Sequence, residues 1–278
     1  MIEERAETEE AFTALFDEAE PLESAVDALD GRVVVFARRR ERVVTVVNLL
    51  ADRDGPPTLL VVDSEATPIL SRRLGWFEVT TRASDLVASG RLTIRETDLP
   101  AGTPTAIDAR ELTVLGTLID RPVRFRHPVT DGVREGLAGL VREAEPFEPP
   151  LPGIDTITDG LASTFGPRVA TDFTDAVETA SRTRTDIDGL LVLLLVGATH
   201  RLRWNELRET AAELGLATAN PLRERKARLL GRGLIRERPE TDYDGPGRPP
   251  KVLTLPDRLG VAPEDGVPDS LLRRVVSG

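Results

Sequence analysis

The stretch that decides the fold runs over residues 186–258: DIDGLLVLLLVGATHRLRWNELRETAAELGLATANPLRERKARLLGRGLIRERPETDYDGPGRPPKVLTLPDR. Ile187 to Thr199 is apolar, with no charge after Asp188. This predicts a buried helix, too short for the roughly 20 apolar residues a bilayer span needs. Leu202 and Trp204 fit a short strand. Asn205 is placed to cap a second helix, in which Leu207, Ala211 and Leu214 repeat at i, i+4, i+7 along one face. Gly215 suits the helix end, where a positive φ is required. A third helix follows over ANPLRERKARLLGRGL, capped by Thr218 or Asn220, with Pro221 in the first turn, where a missing N–H costs nothing. Leu234 to Arg238 and Lys251 to Leu255 read as two strands around the turn TDYDGPGRPP.

Three helices followed by a strand, a Gly/Pro-rich tip and a strand form the pattern of a winged helix-turn-helix. On a helical wheel, Leu222 and Leu229 fall together and mark the buried side of the third helix. Asn220, Arg223, Glu224, Ala227 and Arg228 fall on the opposite half. Asn can pair with adenine, Arg with guanine, and Glu can accept from cytosine. Arg248 and Lys251 flank the narrow tip, where a cation suits a minor groove or a phosphate. Thr218, Asn220, Arg223, Glu224, Arg228, Arg248 and Lys251 are therefore the candidate contacts to double-stranded promoter DNA. Lys226 breaks the apolar side between Leu222 and Leu229. It is expected to pack its stem and keep its head in water.

The segment RKARLLGRGLIRE…GRPPKVLTL resembles the recognition helix and wing of archaeal and bacterial winged-helix transcription regulators. The whole chain, an acidic α/β part followed by this module, resembles the haloarchaeal TbsP family of DNA-binding regulators. That resemblance implies control of central-carbon genes near the TATA box, with repression by blocking the basal machinery.

The chain has 36 basic and 47 acidic residues, a net charge of −11. Only Lys226 and Lys251 are lysines; the other 34 basic residues are arginines. An acid-rich, lysine-poor chain with few aromatics is the composition of proteins from halophiles with salty cytoplasm. The charge is uneven: residues 221–251 hold 9 basic and 5 acidic side chains. In molar salt the Debye length is about 3 Å. Counterion release adds little there. DNA recognition in that regime must rest on close hydrogen bonds and shape.

Upstream, Glu7 to Leu29 reads as a helix, Asp30-Gly31 as a turn, and Arg32 to Ala37 as a buried strand of the parallel-sheet kind. Glu41 to Ala51 is helical, with Val43, Val46, Val47 and Leu50 as its buried stripe. Thr58 to Asp63 is a second strand, Ser64 to Leu74 a helix, ASDLVASG a short helix and Arg91 to Glu96 a third strand. TPTAIDA, ELTVLGTLI and RPVRFRH read as three shorter strands, and Asp131 to Glu143 as a helix. EPFEPPLPG (145–153) is a stiff connector. Ile157 to Thr183 is one or two helices whose stripe of Leu161, Phe165, Val169, Phe173 and Val177 fits packing within the chain or a dimer surface. The expected fold is an α/β N-terminal domain with a mixed, mostly parallel sheet (1–150), a helical connector with possible dimerisation (151–185), a winged helix-turn-helix (186–258) and a C-terminal tail (259–278).

No phosphate-binding loop, dinucleotide fingerprint or nucleophile elbow occurs, so no enzymatic activity and no cofactor is expected. Cysteine is absent and the two histidines, His127 and His200, share no ligand spacing, so no metal is expected. The acidic N-terminus lacks a secretory core, which places the protein in the cytoplasm without a membrane partner. Strand C-termini in an α/β sheet face the usual ligand crevice. Arg38, Arg39, Arg40 and Ser64 there are the candidate site for a small phosphorylated effector; a solvated basic turn is the alternative. A homodimer is the expected assembly. The rival function is a winged-helix protein-interaction module, to which an acidic chain is also suited.

Overall fold

The computed structural model describes residues 33–52, 57–71, 77–100, 106–107, 111–118, 121–128, 131–181, 188–256, 266–268 and 270–272. The helix expected over Glu7 to Leu29, the turn at Asp30-Gly31 and the segment 72–76 lie outside them. The chain divides into two compact units, residues 1–68 with 86–148, and residues 69–85 with 149–278.

The first unit is built on a seven-stranded sheet. Its strands are β1 (Val33–Ala37), β2 (Thr58–Asp63), β3 (Leu92–Thr97), β4 (Ala106–Ile107), β5 (Glu111–Leu118), β6 (Arg121–Pro128) and β7 (Glu145–Pro146), in the order β6-β5-β4-β1-β2-β3-β7. β1, β2 and β3 are parallel, with Val35 opposite Leu60 and Leu60 opposite Ile94. The flanking pairs are antiparallel. β1 and β2 are the part the apolar runs foretell, because strands buried on both faces need no polar alternation; β3 alternates, with Leu92 and Ile94 buried and Thr93 exposed. Helix α1 (Arg40–Asp52) follows β1 and buries Val43, Val46, Val47 and Leu50 as expected. Short helix α2 (Pro68–Ser71) is preceded by turns at 64–67, where a longer helix from Ser64 was expected. Pro68 accounts for the difference: the residue before a proline is disfavoured in the helical region and proline suits the first helical position, so the helix starts there, while Asp63 closes the preceding turn by accepting from Glu65 N at its carboxylate and from Ala66 N and Thr67 N at its carbonyl.

Helix α3 (Phe77–Ala88) begins earlier than the segment ASDLVASG indicates. The run FEVTT is poor in helix propensity, yet Thr80 and Thr81 are fully buried and packing overrides it. Helix α4 (Asp131–Glu143) matches its expected bounds. Its Leu137 joins Phe36, Val61 and Leu99 in one cluster on a face of the sheet. The proline-rich connector contributes an edge strand, β7, where proline is tolerated because one side of the ladder is unpaired.

The second unit has one continuous core. Helix α5 (Ile154–Phe165) packs on α6 (Pro167–Ser181), and α6 packs on α7 (Gly189–Thr199). Of the stripe offered as a dimer surface, Leu161, Val169, Phe173 and Val177 are buried in this core and Phe165 is partly buried against it, so most of the stripe is consumed within its own chain. All eleven residues of α7 are buried, which is why the helix needs no polar face. Each fully buried leucine contributes roughly 1.5–3 kcal/mol. Gly189 sits against the Phe77 ring, where an added Cβ would lie 2.3 Å from the ring carbon Cδ2. Asp85 caps α5 through Ile154 N at 2.8 Å. His200 Nε2 and Asp172 Oδ2, 2.6 Å apart, join the end of α7 to α6. Leu271 and Leu272 are also buried in this core, so part of the segment expected as a tail is packed.

Candidate nucleic-acid interface

Helix α7 is followed by α8 (Trp204–Glu213), α9 (Ala219–Gly231), β8 (Arg236–Pro239) and β9 (Lys251–Thr254). The turn from α8 to α9 follows from local residues. Gly215 takes φ 69°, a left-handed conformation that favours glycine. Leu216 N then returns to Ala211 O at 2.9 Å, and Leu216 and Ala217 are buried. Two expected caps differ. Asn205 lies inside α8, whose cap is the extended Arg203. Thr218 does stand at the N-cap of α9, but its side chain makes no cap hydrogen bond. The strand expected at Leu202–Trp204 is a single bridge, Arg203 to Val252, supported by Leu253 N donating to Leu202 O at 3.0 Å.

β8 and β9 pair antiparallel, with Pro239 opposite Lys251. The tip between them is shaped by Tyr243, whose hydroxyl donates to Pro246 O at 3.1 Å. A Cβ on Gly245 would lie 2.6 Å from the Tyr243 ring, and Gly247 has φ 100°. Arg248 follows that glycine and is exposed.

Leu222 and Leu229 are completely buried, which fixes the rotation of α9. Thr218, Asn220, Arg223, Glu224, Ala227 and Arg228 are all exposed. Arg223, Arg228 and Arg248 make no ion pair among the described residues. Glu224 Oε2 accepts from Arg225 Nη1 at 3.3 Å. Lys251, which the sequence groups with the DNA contacts, donates to Glu237 Oε2 at 2.9 Å.

The inner side of α9 is tied down by residues that helical spacing alone does not reveal. Arg225 Nε donates to Asp188 Oδ2 at 3.0 Å, and Asp188 also caps α7 by accepting from Leu190 N. Burial pushes the Asp188 carboxyl above its ordinary range, more than Arg225 pulls it down. Lys226 does not send its head into water. Its Nζ lies 3.8 Å from the centre of the Trp204 ring and donates to Glu237 Oε1 at 2.6 Å. Burial pushes Glu237 up, but Lys226 and Lys251 outweigh it and hold its carboxyl below the usual range. Arg203 grips Glu240 with Nε and Nη2 and Glu206 with Nη1. The one clue in sequence to the Glu237 contacts is that the only two lysines fall in this segment.

The strand-end arginines have a different setting. Arg38 Nε lies 3.8 Å from Asp63 Oδ2, and Ser64 Oγ donates to Asp98 Oδ1. Asp63 Oδ2 also accepts from Leu99 N. Arg39 is exposed, and its carbonyl begins the hydrogen bonding of α1; Arg40 is the first residue of that helix. Burial and the neighbouring Arg39 charge push Arg42 below its ordinary range, so this turn is already crowded with positive charge. No group of three metal-ligating side chains comes together among the described residues. No helix there is long and apolar enough to cross a membrane.

Three helices, a bridge and a two-stranded wing define a winged helix-turn-helix. The family model described as "Transcriptional regulator TbsP-like, C-terminal HTH domain" matches residues 153–270, and "Transcriptional regulator TbsP-like, N-terminal" matches residues 13–123. Together they span most of the chain, which belongs to the TbsP-like family of transcriptional regulators. No curated protein and no solved structure matches it.

Proposed function

We propose that this regulator reads promoter DNA directly, with α9 in the major groove and the 241–250 tip at the backbone or minor groove. The observation that carries the reading is the set of exposed guanidiniums without an ion pair among the described residues, Arg223 and Arg228 on α9 and Arg248 on the tip. They stand on elements whose opposite sides are fixed by buried leucines and ion pairs, so little ordering entropy is lost on binding. Asn220 and Glu224 on the same surface supply an amide and a carboxylate for base edges. Arg223, Arg228 and Asn220 are assigned to bases or phosphates, and Arg248 to the narrow groove.

Repression at central-carbon promoters is the regulatory outcome proposed with it, and its support is the family resemblance. A homodimer on paired half-sites fits the fold class, using a surface other than the buried stripe of α5 and α6. Arg38, Arg39, Arg40 and Ser64 remain the proposed contacts for a phosphorylated effector. The acid-rich composition supports a halophilic source and work in concentrated salt.

Selection of the full-length protein against a random duplex pool in about molar salt tests the reading. Enrichment of a discrete sequence, lost with Arg223→Ala/Arg228→Ala, is expected. A pool that stays random, with the folded protein instead retaining a protein partner through the same surface, would establish the interaction-module alternative.

A further inference from the structure

We propose that Glu237 is a positioning residue: it binds Lys226 of α9 and Lys251 of β9 at the same time and so fixes where Arg248 stands relative to Arg223 and Arg228. The proposal rests on the DNA-reading assignment above, but its structural half is testable without DNA.

Composition is the first support. Of 36 basic residues only two are lysines, and both donate to this one carboxylate, one to each oxygen. A chain that uses arginine 34 times places both of its lysines here. The Lys226 ammonium must fit between the Trp204 ring and Glu237, at 3.8 Å and 2.6 Å. A compact ammonium fills that space at one point, whereas a guanidinium would have to lay a larger planar group along the ring with its donors in a fixed fork. Geometry is the second support. Trp204 opens α8, Lys226 is on α9, Glu237 is on β8 and Lys251 is on β9, so the contacts join four elements. A hairpin of two four-residue strands is marginally stable by itself, and these ties hold its stem to the helix.

Burial is the third support. The Lys226 and Glu237 side chains are 14% and 17% exposed, whereas Lys251 is 54% exposed. The inner pair is shielded from the salt that weakens exposed pairs. Arg203 and Glu240 make a second tie between the start of α8 and the end of the β8 strand. Arg248 is the beneficiary. It has no ion pair of its own among the described residues, and its position is inherited from the stem below it.

The test uses the full chain with Glu237→Gln, Lys226→Met and Lys226→Arg, and reads three quantities. Amide exchange over 236–254 in the free protein reports the wing. Hydroxyl-radical footprints on a selected duplex report the minor-groove contact. Methylation protection reports guanine N7 atoms under α9. Glu237→Gln and Lys226→Met should speed wing exchange and weaken DNA binding about tenfold. They should erase the wing footprint while the guanine protection persists. Lys226→Arg should rescue only in part. Unchanged wing exchange together with a wild-type footprint and affinity would overturn the proposal. If the wild type binds no DNA, the functional reading fails, and Glu237 is judged on wing exchange alone: faster exchange in Glu237→Gln sustains it, unchanged exchange rejects it.

Discussion

Helix α9 has two sides that carry the same kind of residue to opposite ends. On the outer side, Arg223 and Arg228 are exposed and without an ion pair among the described residues. On the inner side, Arg225 is held by Asp188, and Lys226 by Glu237 and the Trp204 ring. Four cations within six residues thus divide into two available to a ligand and two already used in assembling the module. What separates them is the partner each finds on other elements, and charge count is a poor guide to binding capacity. The same distinction applies in the first unit. An anion approaching the ends of β1 and β2 meets Arg38, Arg39 and Arg40, but also the carboxylates of Asp63 and Asp98.

The widest separation between the two sides should come from Arg223→Ala/Arg228→Ala/Arg248→Ala. An arginine that pairs with a guanine is worth about 1–3 kcal/mol, so the triple change should weaken specific binding by roughly two orders of magnitude or more. Thermal stability should stay within about 0.5 kcal/mol, because all three are exposed and make no ion pair among the described residues. Fluorescence anisotropy and thermal melting on the same samples check both halves.

Arg225→Ala, between two of those positions in sequence, should behave in the reverse way. It leaves Asp188 partly buried and without its guanidinium, so stability should fall by roughly 1–3 kcal/mol, less than for a fully buried pair because Arg225 is a quarter exposed. The folded fraction should keep DNA affinity near wild type. Equal loss of affinity in Arg225→Ala and Arg223→Ala, with both folded, would abolish the distinction between the sides.

Acid should then separate two carboxylates of the inner side. Glu237, held down by Lys226 and Lys251 against its own burial, has a folded value below its unfolded one. Its contribution is present above the unfolded value, near 4.5, and is lost as pH falls through the folded value. Asp188 is raised, so its ionised form costs the fold, and that cost is relieved as pH falls through the raised value. Glu237→Gln should therefore flatten the acid limb of a stability curve, and Asp188→Asn should steepen it. Melting temperatures across the acidic range read both.

The smallest effect is expected at the strand ends. Arg38→Ala should change stability by less than about 0.5 kcal/mol, since its contact with Asp63 is long, Arg38 is about half exposed, and Asp63 keeps its bonds from Glu65 N and Leu99 N. DNA binding by the effector-free protein should be unchanged. A shift in affinity comparable to that of Arg223→Ala would show that this turn takes part in DNA contact.

The outer side of α9 was legible in the sequence because Leu222 and Leu229 set the rotation and everything opposite follows from 100° per residue. The inner side was not. Asp188 is 37 residues from Arg225, and no helical or strand period links them. Lys226 breaks the apolar side, and only the fold shows that Trp204 and Glu237 receive it. The buried strands β1 and β2 were legible from continuous apolar runs, whereas α3 was not, since its opening FEVTT is helical only through burial of Thr80 and Thr81. The stripe of α5 and α6 was visible, but a stripe carries no sign of whether its cover is the same chain or another. Here Leu161, Val169 and Phe173 are covered by the module's own core.

Chromatin immunoprecipitation of the wild-type protein and of Arg223→Ala/Arg248→Ala in the native cells tests the central claim most directly. Discrete promoter peaks that vanish in the variant, at unchanged protein level, are the predicted result. Peaks that persist unaltered, or a wild type without peaks, would contradict direct reading by helix and wing.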